Sequence, residues 1–132
     1  MDFFTWKPEY SVNISEIDAQ HKKLVELLNN IYLAMKVGKG REVMAGVIDE
    51  LVSYTQIHFS TEEGLMRQTN YPNFDAHKAE HDQFVAKVQQ FQSEFQSNQV
   101  GMTIEVASYI KNWLINHIQR TDRVMAAHLL MA

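Results

Sequence analysis

The chain is 132 residues long, with 12 Lys and Arg against 16 Asp and Glu, a formal net charge of −4, and no cysteine. This length suits a single compact domain, and the acidic balance leaves no basic stripe for a phosphate backbone, so nucleic acid is not an expected partner. Without thiolates any metal must be held by nitrogen and oxygen, and no uninterrupted apolar run is long enough to span a membrane.

The first residues carry an acid at Asp2 and lack the basic and long apolar regions of a secretory signal, so a cytoplasmic location is expected. Residues 1–14 read as an N-terminal arm with Trp6 and Tyr10. With only 2 prolines and 5 glycines, the rest of the chain leaves long stretches free for helices. The first is expected over residues 15–36, with Ser15 as its N-cap, Asp18 three residues on, and Gly38 and Gly40 beyond its end. A second is expected over 41–68. The run Asn70-Tyr71-Pro72-Asn73 suits a turn, because Pro72 biases Tyr71 away from helical geometry and Asn73 can cap a third helix over 74–95. A polar segment from Ser97 to Gly101 closes it. The fourth helix is expected over 102–121, with a short helical or frayed tail in 122–132.

Each helix carries an apolar stripe in phase with a histidine. His21 aligns with Leu24, Val25, Leu28, Ile31, Tyr32 and Met35. His58 aligns with Met44, Val47, Ile48, Leu51, Tyr54, Thr55, Leu65 and Met66. His77 and His81 continue into Phe84, Val85, Val88, Phe91 and Phe95, and His117 follows Val106, Tyr109, Ile110, Trp113 and Leu114. Four amphipathic helices with short connections imply an all-α, up-down-up-down four-helix bundle.

In that topology the starts of helices one and three and the ends of helices two and four lie together. His21, His77 and His81 are near starts and His58 and His117 near ends, so the five should converge in one layer. Glu62 follows His58 at i+4, and His77 and His81 share the same spacing, so each pair points one way. Asp122 follows His117 at i+5, about 140° around an ideal helix. It reaches the same centre only where the fourth helix loosens or ends, so a local bulge is predicted there. Glu63 and Glu80 fall off the stripes and read as solvated charges. His128 has no donor in phase and reads as a surface histidine.

A single histidine on an apolar face is usually a hydrogen-bonded core residue. Five imidazoles and two carboxylates buried together are another matter, because without a cation their desolvation is costly. Seven donors are too many for one ion and suit two. If both ions are octahedral, five imidazoles, two bridging carboxylates and one bridging oxo or hydroxo group leave one position open. The donor set favours iron, manganese, copper or zinc, and an open position at a redox-active pair points to dioxygen.

These residues resemble the hemerythrin family, specifically its short bacterial single-domain members. The likeness runs through Trp6 and Tyr10, I-D-A-Q-H ending at His21, H-F-S-T-E-E from His58, Y-P-N-F-D-A-H-K-A-E-H to His81, and W-L-I-N-H-I-Q-R-T-D to Asp122. It implies a non-haem di-iron centre, two irons per chain with an oxo or hydroxo bridge, that binds dioxygen reversibly for storage, delivery or sensing. By similarity His77, His81 and His117 hold one iron, His21 and His58 the other, and Glu62 and Asp122 bridge them. Leu24, Trp113, Leu114 and Ile118 would line the oxygen pocket.

The competing function is a di-iron enzyme acting on peroxide or nitric oxide. Every titratable residue placed in the core is already a donor, which leaves no clear general acid or base except Tyr54 or Tyr109. The expected reading is therefore a binding protein and not an enzyme. It is expected to be a monomer, with any oxygen-consuming enzyme or signalling partner acting in trans.

Overall fold

The computed structural model describes residues 3–38, 41–97 and 104–132. After a short 3-10 turn at Pro8–Tyr10 come α1 (Ser15–Lys36), α2 (Arg41–Gln68), α3 (Phe74–Gln96) and α4 (Ile104–Asn116). A π-helical turn (His117–Asp122) then leads into α5 (Arg123–Met131). Asn116 and Arg123 both keep right-handed helical backbone, so α4, the π turn and α5 run on as one rod. In chain order α1 packs on α2 and α2 on α3, while α4 closes against α1, giving a four-helix bundle. Among the described residues no helix is long and apolar enough to cross a membrane.

The chain reverses where the backbone can turn left-handed. Gly38 beyond α1 has φ 71°, and Asn70 beyond α2 has φ 55°, a conformation that glycine adopts freely and asparagine tolerates. The Tyr71 N–H then reaches back to the Met66 carbonyl at 2.9 Å and satisfies an end of α2.

Several local expectations change. Ser15 is the first residue of α1 and not its cap; Ile14 holds the cap position with no side-chain bond. Asp18 instead ties down the arm, accepting from Ser11 Oγ at 2.6 Å and from the Val12 N–H at 2.9 Å. Asn73 stands at the cap of α3, but its backbone carbonyl, rather than its side chain, takes the His77 N–H at 3.1 Å. Of the two forms expected for the tail beyond 121, helical or frayed, the chain takes the helical one and runs to Met131, held by buried Met125 and Ala126. Its expected start at Met102 lies outside the described residues, as do Gly40 and residues 98–101.

The core has two apolar clusters. The larger includes Leu24, Leu28, Ile31, Ile48, Leu51, Phe59, Phe84, Val88, Ile110 and Leu114. The smaller joins Val12, Ile17, Met66, Tyr71, Met125 and Ala126. Ile17 precedes His21, and Met66 and Met125 follow Glu62 and Asp122 by about one turn, so a polar layer lies between the two clusters. Tyr109, expected on a buried stripe, is 40% exposed and lies edge-on to Phe91.

Candidate metal centre

His21, His58, Glu62, His77, His81, His117 and Asp122 form the polar layer, none more than 3% exposed. α1 supplies His21, α2 His58 and Glu62, and the first turns of α3 His77 and His81. His117 opens the π turn and Asp122 ends it. A π turn bonds i to i+5, which brings residues at that spacing one above the other. The Asp122 carboxylate accordingly lies 3.0 Å from His117 Nε2. The loosening inferred from the spacing is thus present as a π-helical turn.

The donors fall into two sets that share both carboxylates. In the first, Glu62 Oε1 lies 3.2 Å from His77 Nε2 and 3.0 Å from His81 Nε2, and Asp122 Oδ1 lies 3.0 Å from His77 Nε2 and from His117 Nε2. In the second, Glu62 Oε2 lies 2.9 Å from His58 Nε2 and 3.4 Å from His21 Nε2, and Asp122 Oδ2 lies 3.0 Å from His21 Nε2. Each carboxylate therefore turns one oxygen to each set.

Hydrogen bonding on the far side of the rings decides what these contacts are. Gln20 Oε1 is 2.7 Å from His58 Nδ1, Glu63 Oε2 2.9 Å from His81 Nδ1, and Glu80 Oε1 2.9 Å from His117 Nδ1. An amide or carboxylate oxygen only accepts, so each Nδ1 donates and, in the neutral ring, Nε2 carries a bare lone pair. Those lone pairs face carboxylate oxygens and, for His81 and His117, each other at 3.1 Å. Acceptors aimed at acceptors in a dry interior call for positive charge between them. Among the described residues, both Asp122 oxygens, Glu62 Oε2 and His21 Nε2 have no hydrogen-bond partner as long as no proton lies between ring and carboxylate.

The spacing suits a cation of transition-metal size. Ligands about 2.1 Å from an octahedral ion lie about 3.0 Å apart when adjacent and about 4.2 Å when opposite. Adjacent atoms of the first set lie 3.0–3.2 Å apart, and His117 Nε2 and Glu62 Oε1 lie 4.0 Å apart. Without a metal, protons take its place. Burial opposes charge on His21 and His77, but a ring that takes up a proton can donate to Asp122 and Glu62 and is drawn by their charge, which outweighs burial and raises both to about 9. His117 is raised for the same reasons, with the Asp122 charge the chief opponent of burial. Burial pushes Glu62 and Asp122 up, and the surrounding imidazoles hold both below the ordinary carboxylate range.

Glu63 is not the solvated charge its position suggests, its side chain being 13% exposed, whereas Glu80 keeps a 44% exposed side chain and pairs with His117 as well. Both lie off the stripes, yet each side chain is long enough to reach a histidine on the next helix. Gln20, which no apolar stripe marks, does the same for His58. A metal-binding imidazole needs an acceptor for its other N–H, and all three residues adjoin a candidate donor in the sequence. His128 is likewise tied down, its Nε2 2.9 Å from the Thr69 carbonyl, joining α5 to the end of α2.

An aromatic shell packs the layer on its apolar side. Phe59 lies flat on His81 with ring centres 3.8 Å apart, and Trp113 stacks on His117 at 4.5 Å and on Phe84 at 4.0 Å. Leu24, Leu114 and Ile118 are buried in this cluster, and Trp113 is half-buried at its edge. A surface cavity of about 270 Å³, lined by Phe59, Glu63 and His81 among others, reaches the layer between α2 and α3.

The sequence profile of the hemerythrin HHE cation binding domain matches residues 12–129. The bacteriohemerythrin of Stenotrophomonas maltophilia is 35% identical over 133 residues, covering 98% of this chain and 86% of the relative. That of Methylococcus capsulatus is 30% identical over 125 residues, covering 94% of this chain and 95% of the relative. Among solved structures, wild-type hemerythrin superposes with a TM-score of 0.91 at 30% identity, covering 96% of this chain and 98% of that one.

Proposed function

Because this chain belongs to the hemerythrin family, we propose that it binds dioxygen reversibly at a pair of iron ions, for storage, delivery or sensing. The observation that carries the reading is the burial of seven nitrogen and oxygen donors in two sets that share both carboxylates. His77, His81 and His117 would hold one ion, His21 and His58 the other, and Glu62 and Asp122 would span the two, with an oxo or hydroxo bridge between them. When bound, the iron pair supplies two electrons to dioxygen and takes them back on release.

The chain's own residues account for selectivity. The first set offers five protein donors and the second four, so the second retains the open position. Leu24, Leu114, Ile118 and Trp113, which belong to the apolar cluster beside the layer, would line the oxygen pocket and hinder the protonation that makes oxidation irreversible. Five imidazoles against two carboxylates also favour binding over turnover, since the carboxylate-rich ferritin-like sites stabilise higher oxidation states. Tyr109 is exposed and Tyr54 is half-buried with its hydroxyl pKa raised by burial, so neither is a ready proton donor to the layer. The whole chain would act as one domain.

Visible absorption of the anaerobically reduced, iron-quantified protein, cycled between dioxygen and inert gas, tests the reading. The expected result is a band that appears with oxygen and vanishes without it. A centre that oxidises once and stays oxidised would remove carriage and favour turnover of peroxide or nitric oxide.

A further inference from the structure

Three of the five imidazoles are braced from outside the layer, and the braces follow one pattern. Each comes from the preceding helix, from a residue adjoining that helix's own donor. Gln20, before His21 on α1, holds His58 on α2 at 2.7 Å. Glu63, after Glu62 on α2, holds His81 on α3 at 2.9 Å. Glu80, before His81 on α3, holds His117 at 2.9 Å and is itself held by Thr121 Oγ1 at 2.8 Å.

The braces differ in charge. Both carboxylates stand behind imidazoles of the five-donor set. Among the described residues, only the neutral amide of Gln20 stands behind the four-donor set; each set also holds one ring whose Nδ1 has no partner, His21 in the four-donor set and His77 in the five-donor set, so the halves differ in the charge of their braces. A carboxylate accepting an imidazole N–H draws positive charge onto the ring and makes the opposite nitrogen a stronger donor, whereas an amide fixes the tautomer without that push.

We propose that Gln20, Glu63 and Glu80 are positioning residues that make the two halves of the centre electronically unequal, with the five-donor half built to hold positive charge more firmly. This rests on the reading of the seven layer residues as donors to two metal ions. Its consequence is ordered filling: the first ion enters the half backed by carboxylates, and the second enters the half backed by the amide more weakly.

Cobalt(II) titration of the full-length, metal-stripped chain, followed by visible absorption and calorimetry, tests it. Wild type should take up two ions in two resolved steps. Glu63→Gln and Glu80→Gln keep an acceptor oxygen at each imidazole and remove only its charge. Each should weaken the first step by about 10–100-fold, with circular dichroism unchanged. Gln20→Glu adds the missing charge and should tighten the second step, narrowing the gap. A brace acting by position alone would leave the Glu→Gln variants within about threefold of wild type, since typical losses of such outer partners are larger; that result overturns the proposal. Loss of both steps together in those variants overturns it as well. A wild-type chain that takes up no cobalt overturns the two-ion reading beneath it, whereas normal two-step uptake with unmoved variants overturns only the inequality.

Discussion

The two ends of the bundle are built from the same helices by different physics. Away from the turn at Asn70, Leu28, Ile31, Met44, Ile48, Val88, Phe95 and Ile110 fill the interior with apolar side chains alone. Near that turn the same four rods bring seven ionisable side chains into one dry layer. The apolar end is stabilised by burial itself, at about 1.5–3 kcal/mol for each large side chain. The polar end opposes folding unless its lone pairs meet a cation or protons. A backbone distortion, the π turn, lies at the polar end, where it brings Asp122 under His117.

The largest change should come from Asp122→Ala. It removes the carboxylate shared by His21, His77 and His117, and breaking such buried pairs costs about 3–5 kcal/mol. Urea unfolding of the metal-free protein should show that loss, and metal content should fall with it. At the other end, Ile31→Ala should cost about 2–5 kcal/mol by leaving a cavity. The sharper expectation is that this cost is the same with and without metal, whereas the Asp122 cost is not. Equal metal dependence at both ends would dissolve the distinction.

A pH series separates the ends again. In the metal-free chain His21 and His77 titrate at about 9 against about 6.5 when unfolded. Their stabilisation is complete below about 6.5 and lost as pH rises through about 9. Glu62 and Asp122 are lowered, so their contribution is present above their ordinary range, about 4, and is lost as pH falls below it. Thermal unfolding of metal-free protein should therefore weaken between about pH 6.5 and 9, while metal-loaded protein should not, because the ions displace those protons. A smaller effect is expected at the boundary. If Leu114 lines the proposed oxygen pocket, Leu114→Asn should speed irreversible oxidation of the iron-loaded protein in air without lowering its iron content; an unchanged rate would count against that placement.

How much of this was legible follows from the same contrast. Helical periodicity exposes the apolar stripes because burial repeats along the chain, and topology alone placed His21, His58, His77, His81 and His117 at one end. The i+5 spacing of His117 and Asp122 even demanded a local departure from α-helix. What stayed hidden depends on long side chains crossing between helices: Gln20, Glu63 and Glu80 sit off every stripe, and only the hydrogen-bonding needs of the rings they touch identify them. Ser15 is not the cap because the first helical bond runs one residue earlier, from the Asp18 N–H to the Ile14 carbonyl at 2.9 Å, and the Asp18 carboxylate is engaged by Ser11 and Val12 of the arm.

The central claim is that this layer holds two metal ions through shared carboxylates. Anaerobic equilibrium dialysis of wild-type chain and Glu62→Ala against iron(II) tests it most directly. About two ions per wild-type chain, as two sets of donors require, and no more than one in Glu62→Ala are the predicted results. No uptake by wild type, or uptake that Glu62→Ala leaves unchanged, would contradict it.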